Sequence, residues 1–174
     1  MSTTELTAVD EVGAARCEQT RALSGHRCKT APRRRVMPAR GIQHVDLAVA
    51  DVEDSLSFYR MVLGPLGLRE YARVLSYRRT EEIVYLEFGH SLLGLRPADG
   101  GTYRHYEVGV EHFAFQVDTR DEVDGAYERC RSAGVRIESP PEEHYVDDPE
   151  EDYYAFFAFD PDGIRIEVVC DRNW

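Results

Sequence analysis

From His44 to Val49 apolar and polar positions alternate with period two: Val45, Leu47 and Val49 share one face, and His44, Asp46 and Ala48 the other. The arrangement returns from His112 to Val117, where Phe113, Phe115 and Val117 lie opposite His112, Ala114 and Gln116. In both predicted strands the histidine is off the apolar face, so it points away from the core. Each strand runs into a stretch of helical spacing. Thr119-Arg120-Asp121-Glu122 reads as a capping box, followed by Val123, Ala126, Tyr127 and Cys130 at helical intervals. Asp51 starts the matching first helix, with Val52, Leu56, Tyr59 and Leu63 as its apolar stripe and Gly64-Pro65-Leu66-Gly67 as its stop.

Three further strands fit each half. They are expected near 70–77, 83–88 and 92–97, then near 135–137, 154–159 and 164–169. Shifting the chain against itself by 68 positions superposes Gly41-Ile42-Gln43-His44 on Gly109-Val110-Glu111-His112, Val49 on Val117 and Tyr59 on Tyr127. The chain therefore reads as a duplicated α+β domain: two tandem βαβββ modules, about 41–100 and 108–170, building a curved mixed sheet around a cleft.

Residues 1–36 break the pattern. They lack both strand alternation and a helical stripe, and end in Arg33-Arg34-Arg35, so the expectation is a disordered tail ahead of a domain at 37–174. The tail carries seven basic and four acidic residues, which leaves the rest of the chain at −14 of the total −11. So acidic a domain disfavours a nucleic-acid role, since phosphate binding needs a basic face, and a small-molecule substrate is the expected partner. No apolar run is long enough for a membrane span and the N-terminus has no secretory pattern, so the expected address is the cytoplasm. Cys17, Cys28, Cys130 and Cys170 show neither a Cys-x-x-Cys pair nor dense spacing and read as free thiols.

The candidate chemistry lies on the polar strand faces. In the last strand Ile164, Ile166 and Val168 form the apolar side, which leaves Arg165 and Glu167 opposite. A bent sheet built from both modules brings the two first strands and this last strand together, so His44, His112 and Glu167 are the expected ligands of one divalent metal ion. Two imidazoles and a carboxylate suit Fe, Mn, Ni or Zn and leave coordination positions open to a substrate. Arg96, Arg165, Tyr85 and Phe157 fall on the same faces as candidate pocket residues. Glu167 is also a catalytic candidate, and so is His144, expected in the loop before the strand at 154–159.

Gly41-Ile42-Gln43-His44-Val45, Phe58-Tyr59, Leu63-Gly64, Glu111-His112-Phe113-Ala114-Phe115 and Phe159-Asp160-Pro161-Asp162-Gly163-Ile164-Arg165-Ile166-Glu167 together resemble the vicinal-oxygen-chelate superfamily, over about 41–170. That superfamily includes glyoxalases, epimerases, extradiol dioxygenases, fosfomycin-resistance transferases and bleomycin-binding proteins. The resemblance implies His44, His112 and Glu167 as metal ligands, with Asp160-Pro161-Asp162-Gly163 as the turn that delivers the glutamate. It also puts Gly94 where glyoxalases carry a metal-binding carboxylate, and Phe157 where ring-cleaving dioxygenases carry a tyrosine. The implied function is a metal-dependent enzyme, with dioxygenase or lyase and isomerase chemistry, that chelates a substrate through neighbouring oxygens. The alternative is a metal-free sequestering protein of the bleomycin-resistance type. A homodimer is expected, with the cleft completed either within one chain or by exchange between two.

Overall fold

A computed structural model describes residues 41–76, 81–144 and 152–173. The reading of the tail at 1–36 lies outside these residues, as do Cys17 and Cys28. The described chain is two βαβββ modules. Module one holds β1 (His44–Val49), α1 (Val52–Leu63) with a 3-10 turn at Gly64–Leu66, β2 (Arg69–Leu75), β3 (Glu82–Phe88) and β4 (Ser91–Pro97). Module two holds β5 (His112–Gln116), α2 (Arg120–Ser132), β6 (Ile137–His144), β7 (Tyr153–Phe159) and β8 (Arg165–Asp171). The strands form two four-stranded mixed sheets, ordered β1-β4-β3-β2 and β5-β8-β7-β6. In each the first strand runs parallel to the last, and the remaining pairs are antiparallel.

Local chemistry starts and stops the helices where the chain demands it. The Asp51 carboxylate accepts the N–H groups of Glu53 and Asp54, two of the donors that an α-helix leaves orphaned at its N-terminus. At α2 the capping box is complete: the Thr119 hydroxyl takes the Glu122 N–H, and the Glu122 carboxylate returns to the Thr119 N–H. After α1 the chain turns sharply through Gly67, whose φ of +102° is a conformation that a side chain would strain.

The helices bind the modules together. Leu56, Tyr59, Val62 and Leu63 of α1 and Val123, Ala126 and Cys130 of α2 join one continuous buried cluster that includes Leu47, Leu95, Phe156 and Ile166 from both sheets. Arg129 reaches from α2 to the C-terminus of α1, donating to the carbonyls of Met61 at 3.1 Å and Val62 at 2.8 Å. These are carbonyls that helix geometry leaves without intrahelical partners. Cys130 and Cys170 are free and buried, and burial pushes the Cys130 thiol up to about 11.

The turn between β7 and β8 makes a second bridge. The Asp160 carboxylate accepts the Tyr59 hydroxyl at 3.0 Å on one oxygen and the N–H groups of Asp162 and Ile164 on the other. Its neighbour Asp162 accepts the Ala50 N–H at 3.0 Å, just ahead of α1. Burial raises the Asp160 carboxyl, and burial beside that carboxylate raises the Tyr59 phenol.

The structure corrects the reading of β6. The expected strand ended at 137 and left His144 in a loop; the observed strand begins at Ile137 and runs to His144, which pairs with Tyr153. The strand carries Pro140 and Pro141 because β6 is a sheet edge, where a missing N–H costs no ladder bond on the open side. Its register slips on either side of Ser139 accommodate them. No helix among the described residues is long and apolar enough to cross a membrane.

The buried Tyr59–Asp160 bond yields a stability prediction. Tyr59→Phe leaves a buried carboxylate oxygen short of a donor and is expected to cost about 1–2 kcal/mol, and Asp160→Ala, which strands several donors at once, about 3 kcal/mol. Urea unfolding of both variants measures this; equal midpoints for Asp160→Ala and wild type would show that the turn does not hold the modules together.

Candidate metal centre

The site is built from rungs of the two sheets. In module two Ala114, Glu167 and Phe157 lie side by side across β5, β8 and β7, because Ala114 pairs with Glu167 and Glu167 with Phe157. His112 sits two residues before Ala114 and so shares its face. The small Ala114 side chain leaves room for the glutamate to lean toward the histidine. His112 Nε2 and Glu167 Oε2 lie 3.1 Å apart. The other carboxylate oxygen, Oε1, accepts the Tyr153 hydroxyl at 2.7 Å. Glu167 is only 2% exposed, more enclosed than the solvent-facing position that strand alternation implied.

The far side of His112 is also engaged. Its Nδ1 bonds the carboxylate of Glu111, which also takes His105 Nε2 at 3.0 Å and Arg165 Nη1 at 3.0 Å. Hydrogen bonds from His112 first, then from His105, with the Arg165 charge beside them, lower the Glu111 carboxyl to about 2. An ionised carboxylate only accepts, so Nδ1 donates to Glu111, and Nε2 is the ring atom that faces Glu167. A ring nitrogen and a carboxylate oxygen at 3.1 Å accommodate either a shared proton or a cation between them. Two donors, each about 2.1 Å from one metal ion and at right angles, stand about 3.0 Å apart, so the pair fits such an ion.

His44 stands elsewhere. It leads β1, the open edge of the other sheet, with Nδ1 bonded to the Gln43 amide oxygen and its ring edge-on to Tyr85 at 6.0 Å. The chain thus brings His112 and Glu167 together and does not bring His44 to them: among the described residues no three His, Cys, Asp or Glu side chains gather closely enough to hold a metal ion.

The remaining candidates divide. Phe157 packs edge-on against both His112 and His144, each at 5.8 Å, so it lines the pair. His144 also meets Tyr153 at 5.9 Å, and its Nε2 is buried with no hydrogen-bond partner among the described residues. Arg165 is committed within the chain: it stacks 3.9 Å above the Phe157 ring and pairs with Glu138 as well as Glu111. Arg96 pairs with Glu81 at 2.6 Å, and the Tyr85 hydroxyl leans toward Asp46 at 3.5 Å. A cavity of about 420 Å³ opens at the other end of β1, lined by Ala48, Ala98, Thr102 and Asp162 among others, and none of the candidate ligands borders it.

Sequence reading missed Glu111, His105 and Tyr153 as partners of the site. Glu111 was available as the residue beside His112, matching Gln43 beside His44; nothing local marks His105, which reaches Glu111 from the connection between the modules. Tyr153 lies 14 residues before Glu167, and only the antiparallel pairing of β7 with β8 brings it close.

The comparisons with known proteins agree with this architecture. The chain is 26% identical over 132 residues to YqjT of Bacillus subtilis, an uncharacterised protein, covering 74% of this chain and 98% of that one. A glyoxylase/bleomycin resistance protein/dioxygenase domain from Frankia sp. superposes with a TM-score of 0.64 at 24% identity, covering 78% of this chain and all of that one. A variant of the fosfomycin resistance protein FosX from Listeria monocytogenes, solved with Mn(II) and 1S,2S-dihydroxypropylphosphonic acid, superposes with a TM-score of 0.56 at 19% identity, covering 75% and 92%. At this level of identity the two structures establish the fold. The family profile, by contrast, matches residues 41–168, from the start of module one into the last strand of module two, and the chain belongs to the Glyoxalase/Bleomycin resistance protein/Dioxygenase superfamily.

Proposed function

We propose that this protein is a metal-dependent enzyme acting on a small oxygenated substrate, with one divalent ion held by His112 and Glu167 of one copy and His44 of a second copy. The observation that carries this reading is the inward-facing pair His112 Nε2 and Glu167 Oε2, 3.1 Å apart and fixed from behind by Glu111 and Tyr153. Carboxylate and phenol partners of this kind orient metal-ligating groups. The Mn(II) in the FosX structure is a precedent for metal in this fold. A second copy enters because, among the described residues, β1 and β5 are both sheet edges, each led by its histidine, and His44 does not gather with His112 and Glu167. An edge strand with unpaired backbone groups is a natural seam for another chain.

Such an ion would supply Lewis acidity to two neighbouring substrate oxygens. The residues around it do the rest. Glu111 and Tyr153 keep the ligands aimed, Phe157 and Tyr85 wall the cleft, and His144, with its free ring nitrogen beside Tyr153 and Phe157, holds or takes the proton that the reaction moves. Arg96 and Arg165 act by shaping the pocket, since both are already ion-paired.

Elemental analysis of protein purified without chelator is expected to find a stoichiometric divalent metal in the wild type and little in His112→Ala. Protein that neither retains nor can be loaded with Fe, Mn, Ni or Zn would instead be a metal-free sequestering protein. Tyr153→Phe and Glu111→Ala are each expected to weaken metal affinity by about tenfold or more while leaving the fold intact; calorimetric titration reads this, and unchanged affinity in both would remove the supporting role of these groups. The shared site has its own test. Mixing His44→Ala with His112→Ala after subunit exchange should restore metal to about one quarter of wild-type stoichiometry, because half the random dimers carry one intact site of two. No recovery on mixing would place the site within a single chain.

A further inference from the structure

The duplication allows the two modules to be compared rung by rung. In module two the rung is Ala114 on β5, Glu167 on β8 and Phe157 on β7; in module one the same places are taken by Asp46 on β1, Gly94 on β4 and Tyr85 on β3. Each rung holds one carboxylate and one small residue, but the two have exchanged strands. In both modules the histidine lies two residues ahead on the first strand and meets the aromatic ring edge-on, His112 with Phe157 at 5.8 Å and His44 with Tyr85 at 6.0 Å. In both, a tyrosine hydroxyl turns to the carboxylate, Tyr153 to Glu167 and Tyr85 to Asp46.

Gly94 shows that the exchange is built into the packing. A Cβ placed on it would stand 2.2 Å from Asp46 Oδ1 and 2.9 Å from the Tyr85 ring, so the Asp46 carboxylate fills the space that a side chain on β4 would claim. The carboxylate lies over the middle of the sheet and not along the outer edge of β1. His44 and Asp46 are residues i and i+2 of one strand and so project from the same face roughly 7 Å apart at the backbone, a span from which an imidazole and a carboxylate can both reach one ion.

We propose that Asp46 is a further ligand of the metal site, module one's counterpart of Glu167, carried on the first strand instead of the last. This rests on the metal-dependent reading above and adds to it: the site draws a histidine and a carboxylate from each module, His44 with Asp46 and His112 with Glu167. Two imidazoles and two carboxylates neutralise a divalent charge and keep the site in the oxygen and nitrogen class that suits Mn, Fe, Ni or Zn.

Mn(II) binding to the full chain, followed by the loss of the free-ion electron paramagnetic resonance signal, tests the proposal without any assay of turnover. Asp46→Asn keeps the shape of an exposed side chain and removes its charge; it is expected to weaken Mn(II) affinity by about tenfold or more. Gly94→Ala leaves Asp46 in place but pushes its carboxylate aside, and is expected to weaken binding in the same direction and alter the bound-ion spectrum. Circular dichroism of both variants should match wild type. If Asp46→Asn binds Mn(II) as wild type does while His112→Ala has lost it, the Asp46 assignment is wrong and the metal site stands without it. If wild type itself binds no Mn(II), Fe(II), Ni(II) or Zn(II), both readings fall together.

Discussion

The turn Asp160-Pro161-Asp162-Gly163 is the constraint on which the rest of this structure hangs. Its first carboxylate is buried, yet each oxygen is satisfied, one by the Tyr59 hydroxyl of the other module and one by backbone N–H groups of the turn itself. A buried carboxylate so placed is costly to disturb, because removing any partner leaves the charge stranded away from water. The turn opens β8, and so it sets which residue of that strand comes level with Ala114. One cluster of hydrogen bonds therefore joins the modules and sets the register that presents Glu167 to His112.

The site follows from that register with few further parts. Alternation along each strand puts ligand-capable groups on one face and apolar groups on the other, and the helices seal only the apolar face. What sets the geometry of the polar face around His112 and Glu167 is the layer of partners behind them. Glu111 accepts from Nδ1 of His112 and Tyr153 donates to one oxygen of Glu167, so Nε2 and the other carboxylate oxygen are left facing each other. The arrangement places two ligand-capable atoms side by side in an acidic domain, which is the feature that the proposed metal site uses.

The two modules reach comparable ends by different means. Module two places its carboxylate on the last strand and buries it; module one places Asp46 on the first strand and keeps Gly94 bare beneath it. The duplicated frame is thus more uniform than the residues that fill it. The same holds for the partners behind the histidines, a neutral amide at Gln43 and a charged carboxylate at Glu111, which leaves His112 in the more strongly polarised setting.

Much of this protein is written locally. The period-two faces of β1, β5 and β8, the Thr119 capping box, the Asp51 cap and the 68-residue repeat are all statements about neighbours in the chain, and such signals survive reading one residue after another. His112 and Glu167 were legible as candidates because alternation assigns a face without knowing the fold. Other features depend on which strand lies next to which. The edge position of β6, which tolerates Pro140 and Pro141, the reach of Tyr153 to Glu167 and of His105 to Glu111, and the fit of Asp46 over Gly94 arise from pairings between distant segments. So does the separation of His44 from His112 and Glu167: alternation could point the three side chains, but the division of the strands into two sheets, with a histidine on the edge strand of each, decided where they stand.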